Sequence, residues 1–401
     1  MSADSANARS ANTQPVDAQP ASTQPAKAPW ASAAALCLAE VEARARAVLP
    51  PEVWDFVAGG SGSESSLRAN RAALDEVFLA PRMLRDVTAR STAARLLGAQ
   101  AALPLAVAPV AYHRLAHPEG ELAVARAAAK AGVPFTAATL SSYPIERITA
   151  TGATTWFQLY WLRDPGHRLE LIRRAEAAGC TALVLTVDVP WMGRRLRDVR
   201  NGFALPAGVV AANLTEATDS AAHRGAAGGS AVATHTALAF APDLTWADVE
   251  QLRATTRLPI VLKGLLDPAD AVLAARAGAA AVVVSNHGGR QLDGAVPAVQ
   301  LVGEVREAVG GAVGDACQVL LDGGIRSGLD VLRALARGAD GVLVGRPLIW
   351  GLAADGEAGA HRVLDLLATE FDDALGLAGC LSPAEARSLR TVIRPHRLES
   401  P

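Results

Sequence analysis

Short apolar runs rich in Val, Leu and Ala alternate along the chain with Ala-rich amphipathic stretches. The runs are Pro104–Pro109, Pro134–Ala138, Thr154–Tyr160, Ala182–Asp188, Pro259–Gly264, Ala280–Asn286, Gln318–Gly324 and Gly341–Pro347. They are continuous rather than alternating, the pattern of strands covered on both faces, as in a parallel sheet. Between them Glu119–Gly132, Pro165–Gly179, Asp267–Gly278 and Ser327–Gly338 carry helical spacing and close on a glycine. Most runs begin apolar and turn polar at the end: Gln158 and Tyr160, Thr186 and Asp188, Lys263, Ser285 to His287, Asp322, Arg346. Eight strand–helix units ending this way predict an α/β fold of the (β/α)8 TIM-barrel class, whose active-site face is built from the strand C-termini. A doubly wound sheet competes, but the G-x-G-x-x-G turn it needs after its first strand is missing, and Gly59–Gly62 follows no strand.

Two stretches break the pattern. Residues 1–29 are Ala, Ser, Thr, Gln, Asn and Pro with almost no large apolar side chain, so burial cannot offset their ordering entropy. They are expected to form a disordered tail ahead of a barrel domain spanning 30–401. A second low-complexity segment, about 207–239, is expected to be a long mobile loop after strand 4, read equally well as a surface insertion or as a lid.

Composition narrows the function classes. Half of the 401 residues are apolar and 19% are charged, enough to bury a sizeable core. A formal net charge of −2 gives no electrostatic footprint for a nucleic-acid partner. Cys37, Cys180, Cys317 and Cys380 lie far apart without a C-x-x-C pair or clustered histidines, so neither a disulfide framework nor a metal site is expected. The N-terminus has no secretory pattern and no run of 18 apolar residues occurs, so a cytoplasmic protein without a membrane span is expected. Lys27, Lys130 and Lys263 are the only lysines, which makes a lysine at a strand end notable.

The densest chemical cluster is Ser285-Asn286-His287-Gly288-Gly289-Arg290-Gln291-Leu292-Asp293. A histidine at a barrel strand end can act as a base near neutral pH, and an arginine three residues on can grip a carboxylate with two parallel bonds. Asp322-Gly323-Gly324-Ile325-Arg326-Ser327-Gly328 and Gly345-Arg346-Pro347 place glycine turns and arginines after strands 7 and 8, where this fold repeatedly binds phosphate. Lys263 ends a buried run and needs an anion or an electron-rich ligand. Asp188 can orient His287 and stabilise its protonated form, though an aspartate there is also a common turn or cap residue. His117, ahead of Pro118-Glu119, reads as a helix start. Trp156, Trp161, Trp191 and Trp350 read as core or pocket wall.

The motifs SNHGGRQLD, DGGIRSG with GRP, QLY, TVDVP followed by GRR, LKG and APVAYHRLAHPEGE together resemble the FMN-dependent 2-hydroxy-acid oxidase family from about Leu49 to Cys380. The resemblance implies FMN as cofactor, a 2-hydroxy acid and O2 as partners, and a homo-oligomer, commonly a tetramer. It implies that His287 takes a proton from the substrate, that Asp188 orients it, and that Arg290 and Arg195 hold the substrate carboxylate. Tyr160 would bond the substrate and Lys263 would stand by the reduced flavin ring. Gln158, Thr186, Pro109, Ala111, Ser285 and Asp322 would line the flavin, while Gly324, Arg326, Gly345 and Arg346 would hold its phosphate.

Three departures bear on the substrate. A tyrosine common near the N-terminus of the family is Phe56 here, Pro-Thr-Ala reads Pro109-Val110-Ala111, and a tryptophan of the next loop is Leu140. Together with Tyr112, Trp191 and Met192 they favour an aromatic 2-hydroxy acid, (S)-4-hydroxymandelate being the sharpest expectation, over lactate or another aliphatic acid. The polar, small-residue character of 207–239 favours oxygen over a membrane quinone as acceptor. A barrel isomerase using the same phosphate site is the more distant alternative.

Overall fold

The computed structural model of the protein describes residues 34–214, 220–223 and 229–394. The tail expected over 1–29 lies outside the described residues, as do 215–219 and 224–228 of the segment after strand 4.

Eight parallel strands close into a barrel: β1 Leu105–Val107, β2 Phe135–Ala138, β3 Thr155–Leu159, β4 Ala182–Thr186, β5 Ile260–Leu265, β6 Ala281–Val284, β7 Gln318–Asp322 and β8 Gly341–Val344. Each pairs with the next in sequence, and β8 closes on β1 through Val342 opposite Leu105. All eight apolar runs are therefore strands, and their continuity has a simple cause. Alternate residues face opposite sides, and both sides are covered. One set, including Leu105, Val107, Leu183, Leu185, Leu262 and Val282, joins the core beneath the surrounding helices. The other set, Ala106, Ala108, Trp156, Ala182, Val184, Val261, Ala281, Val283, Leu320 and Leu343, fills the barrel interior. Small residues on several strands leave room there for Trp156, which is 2% exposed.

The interior set also explains the polar strand ends. Two residues beyond Trp156, Val184, Val261, Val283 and Leu320 stand Gln158, Thr186, Lys263, Ser285 and Asp322, all buried and of the same parity. They form the top layer of the interior, at the end of the barrel that faces ligand. The opposite end is closed by a hairpin, Ala94–Leu96 with Ala99–Ala101, whose Leu97 N–H donates to Gln318 Oε1 at 2.8 Å.

Helices Leu38–Val48, Pro51–Ala58 and Ser65–Asp75 precede the barrel. A short antiparallel pair, Val77–Ala80 with Arg390–Ile393, ties the two ends of the described chain together. The segment after β4, read from sequence as a loop, contains a 3-10 turn at Ser220–His223 and an α-helix at Ala231–Ala239. Among the described residues no helix is long and apolar enough to cross a membrane.

Candidate active site

The C-terminal ends of the strands and the helix Pro51–Ala58 line a cleft open to solvent. His287 stands on the turn after β6, where His287, Gly288 and Gly289 all have positive φ of 57°, 63° and 75°. This run is costly for any side chain. It is compelled at Gly289, where a Cβ would fall 2.5 Å from the backbone nitrogen of Leu67. The turn is held by the His287 N–H, which donates to Ser285 Oγ at 2.9 Å.

His287 Nδ1 lies 3.0 Å from Asp188 Oδ1, which leaves Nε2 as the reactive nitrogen. Burial lowers the His287 pKa from its ordinary value, and Lys263 and Arg195 push the same way against the attraction of Asp188. The imidazole is thus neutral at pH 7 and able to accept a proton. The neighbouring charges are ordered by one hydroxyl. Ser285 Oγ donates to Asp322 Oδ2 at 2.7 Å and accepts from Lys263 Nζ at 3.1 Å. Lys263 itself pairs with Asp322 at 2.7 Å. Burial works against the ammonium, but Asp322 and Asp188 outweigh it and raise the Lys263 pKa, so the lysine stays charged.

Two further cations face the same space. Arg290 donates through Nη1 to the carbonyls of Phe56, Val57 and Gly59, at 2.9, 3.2 and 2.9 Å. No other acceptor takes its remaining N–H groups among the described residues. Arg195 is 8% exposed, its Nε is without a partner, and its nearest carboxylate, Asp198, is 3.9 Å away. The guanidiniums of Arg195 and Arg290 lie 5.7 and 5.5 Å from the ring centre of Phe56, which stacks on Phe203 at 4.5 Å. Tyr160 stacks on Phe240 at 4.4 Å, and burial raises the pKa of its hydroxyl, keeping it a donor.

At the far side Arg326 and Arg346 follow β7 and β8. Arg346 donates to the carbonyls of Val57, Gly59 and Gly288. Arg326 donates to Ile325 O and lies 4.6 Å from the Trp350 ring. Neither forms an ion pair with a described carboxylate, and burial pulls their pKa values down to about 10 and about 9. Two half-buried guanidiniums that no described carboxylate pairs with mark a place for a strong anion.

The structure thus brings His287, Asp188, Arg290, Arg195, Tyr160, Phe56, Lys263, Asp322, Gly324, Arg326, Gly345, Arg346, Pro109 and Ala111 to one cleft or its immediate wall. Gln158, Thr186 and Ser285 sit in the polar top layer of the barrel just beneath it. Trp156, Trp161 and Trp350 are core, but Trp191 is 67% exposed and does not line the cleft, contrary to the sequence reading. The sequence reading passed over Val232, Thr236 and Phe240, which line the cleft from the helix after β4. Their spacing of four residues was the available signal, submerged in an Ala- and Gly-rich background. Among the described residues no group of three His, Cys, Asp or Glu side chains is arranged to hold a metal ion.

A family model described as FMN-dependent dehydrogenase matches residues 45–392. The chain belongs to this family. Its FMN-dependent relatives include the 4-hydroxymandelate oxidase of Amycolatopsis orientalis, 62% identical over 354 residues that cover 88% of this chain and 97% of the relative. The L-lactate oxidase of a Nostoc species is 46% identical over 86% of this chain and 94% of its own length. A solved structure of mandelate oxidase with (S)-4-hydroxymandelic acid is 61% identical and superposes with a TM-score of 0.87, covering 90% of this chain and 99% of that one. As a family member the protein is an oxidoreductase that uses FMN. The residues present fit that cofactor. Arg326 and Arg346 answer a phosphate, Lys263 an electron-rich ring, and the Gln158 side-chain N–H2, buried with Nε2 lacking any partner, a polar ring edge.

Proposed function

We propose that the protein oxidises an aromatic 2-hydroxy acid, (S)-4-hydroxymandelate, to 4-hydroxyphenylglyoxylate while O2 is reduced to hydrogen peroxide. FMN, when bound, supplies the two-electron acceptor. The chain does the rest. Arg290 and Arg195 hold the carboxylate, Tyr160 donates to the substrate, and His287, neutral and oriented by Asp188, takes the proton of the 2-hydroxyl. Gln158, Thr186, Pro109, Ala111, Lys263, Ser285 and Asp322 contact or support the flavin, and Gly324, Arg326, Gly345 and Arg346 hold its phosphate.

The observation that carries the aromatic assignment is the wall around the carboxylate site. Phe56 lies beside both arginines and is backed by Phe203, and Tyr160 is backed by Phe240. A two-carbon or three-carbon acid would leave this apolar surface uncovered, whereas an aryl ring covers it. The names of the relatives with 62% and 61% identity point the same way. The homo-oligomer expected from the family belongs to the same proposal and is checked by light scattering.

The test is an anaerobic titration of the purified yellow protein with (S)-4-hydroxymandelate, followed by admission of air. Bleaching of the flavin absorbance that recovers with oxygen is expected. Bleaching by lactate alone would discard the aryl substrate while keeping the family.

A further inference from the structure

We propose that Thr236 determines specificity at the aryl end of the substrate, its hydroxyl oxygen accepting a hydrogen bond from the para-hydroxyl of a 4-hydroxyaryl 2-hydroxy acid. The inference rests on the aromatic reading above and adds the residue that would recognise the ring substituent.

The argument begins with the two ends of such a substrate. Its carboxylate and its para-hydroxyl lie on opposite sides of the ring, so they must be met by different walls. One wall carries the cations Arg195, Arg290 and Lys263 together with His287. The helix Ala231–Ala239 and the residue after it contribute an uncharged wall, Val232, Thr236 and Phe240, spaced four apart and so on one stripe. Thr236 is the only polar member of that stripe.

Elimination among the other polar groups leads to the same residue. Gln291 is fully committed: Nε2 donates to the carbonyls of Asp188 and Trp191, and Oε1 accepts from the Gly193 N–H. Asp322, whose Oδ2 takes both Lys263 and Ser285, belongs to the top layer of the barrel at the cofactor end. Tyr112 turns its hydroxyl toward Nδ1 of fully buried His235, 3.4 Å away, which does not line the cleft. The arginines, His287 and Tyr160 serve the reacting end or the cofactor. Thr236, 4% exposed, donates its own hydroxyl proton to Ala233 O at 3.0 Å. Its oxygen is left able only to accept, which suits a donor such as a phenolic O–H and not a carboxylate or carbonyl oxygen.

The helix is also tied to the rest of the cleft. The Ala231 N–H donates to Phe203 O at 2.9 Å, fully buried His235 contacts Tyr112, and Phe240 stacks on Tyr160. Phe203 backs Phe56 and Tyr160 lines the same cleft, so Thr236 is positioned against the same frame as Arg290.

The test compares Thr236→Val, of nearly equal shape, with Thr236→Ser, which keeps the hydroxyl. Turnover is followed by peroxide release with 4-hydroxymandelate and with mandelate. Binding is followed by flavin absorbance on titration with 4-hydroxyphenylglyoxylate and phenylglyoxylate. In Thr236→Val the preference for the 4-hydroxy compound, in both kcat/KM and Kd, is expected to fall about 10-fold, with mandelate itself changed less than about twofold. Thr236→Ser is expected to keep the preference. Thr236→Ala provides the same comparison if the valine protein does not fold. An unchanged preference, an equal fall for both compounds, or a parent enzyme that does not prefer the 4-hydroxy compound would overturn the assignment and leave the aromatic reading standing. A parent enzyme active on lactate but on neither aryl acid would overturn that reading itself.

Discussion

The contact between His287 and Asp188 allows a quantitative test through Asp188→Asn, which keeps the size of the side chain and removes its charge. With Nδ1 and Oδ1 3.0 Å apart, the charge centres of a protonated imidazole and the carboxylate are about 4 Å apart. At an effective dielectric constant of about 20 their attraction is about 4 kcal/mol. That stabilisation exists only once His287 has taken the substrate proton, so its loss falls on the transition state and corresponds to about a thousandfold in rate. An asparagine amide donating to Nδ1 would in addition favour the wrong tautomer, in the same direction. The assay is anaerobic stopped-flow bleaching of the flavin by 4-hydroxymandelate across pH. His287 works as a base only when neutral, so activity is lost as pH falls through its pKa, which burial already holds below the usual 6.5. Asp188 opposes that depression, so the variant's acidic limb is expected at lower pH while its plateau drops. Flavin content should not change, because Lys263 keeps Asp322 as partner. A plateau within about 10-fold of the parent would refute the role given to this pair.

Three further outcomes follow from the same geometry. Gly264 has φ +109° and a Cβ there would lie 2.5 Å from Asp188 Cγ, so Gly264→Ala should displace the carboxylate. It is expected to destabilise the fold by about 1–3 kcal/mol in thermal unfolding and to copy the slow bleaching of Asp188→Asn. Arg326→Met removes a half-buried cation that no described carboxylate pairs with and should weaken FMN retention about 10- to 100-fold, read as free flavin after ultrafiltration; unchanged retention would exclude Arg326 from the phosphate site. Phe56→Tyr sets a hydroxyl beside Arg195 and Arg290 and should move the kcat/KM ratio from 4-hydroxymandelate toward lactate, an unaltered ratio counting against Phe56 as the aryl wall.

What the chain announced by itself is what local physics records. The eight strands were legible because burial on both faces makes every residue of a run apolar, and the active-site face was legible because Gln158, Thr186, Lys263, Ser285 and Asp322 break that rule at the same end of their strands. His287, Arg290, Arg326 and Arg346 were legible for a related reason, since charge next to an apolar run and paired glycines demands a partner. The carbonyls of Phe56, Val57 and Gly59, which hold Arg290, and of Val57 and Gly59, which hold Arg346, left no mark, because a backbone oxygen is the same in every sequence. Trp191 was misplaced because neighbourhood in sequence does not set the direction of a side chain on a turn. The helix Ala231–Ala239 was hidden in a low-complexity segment, and only its contacts with Phe203, Tyr112 and Tyr160 made Thr236 part of the site. The sequence by itself determined the barrel and the polar and charged groups at the ends of its strands, through burial and charge. The apolar wall of the cleft was decided by tertiary structure, because it is made of contacts between residues far apart in the chain.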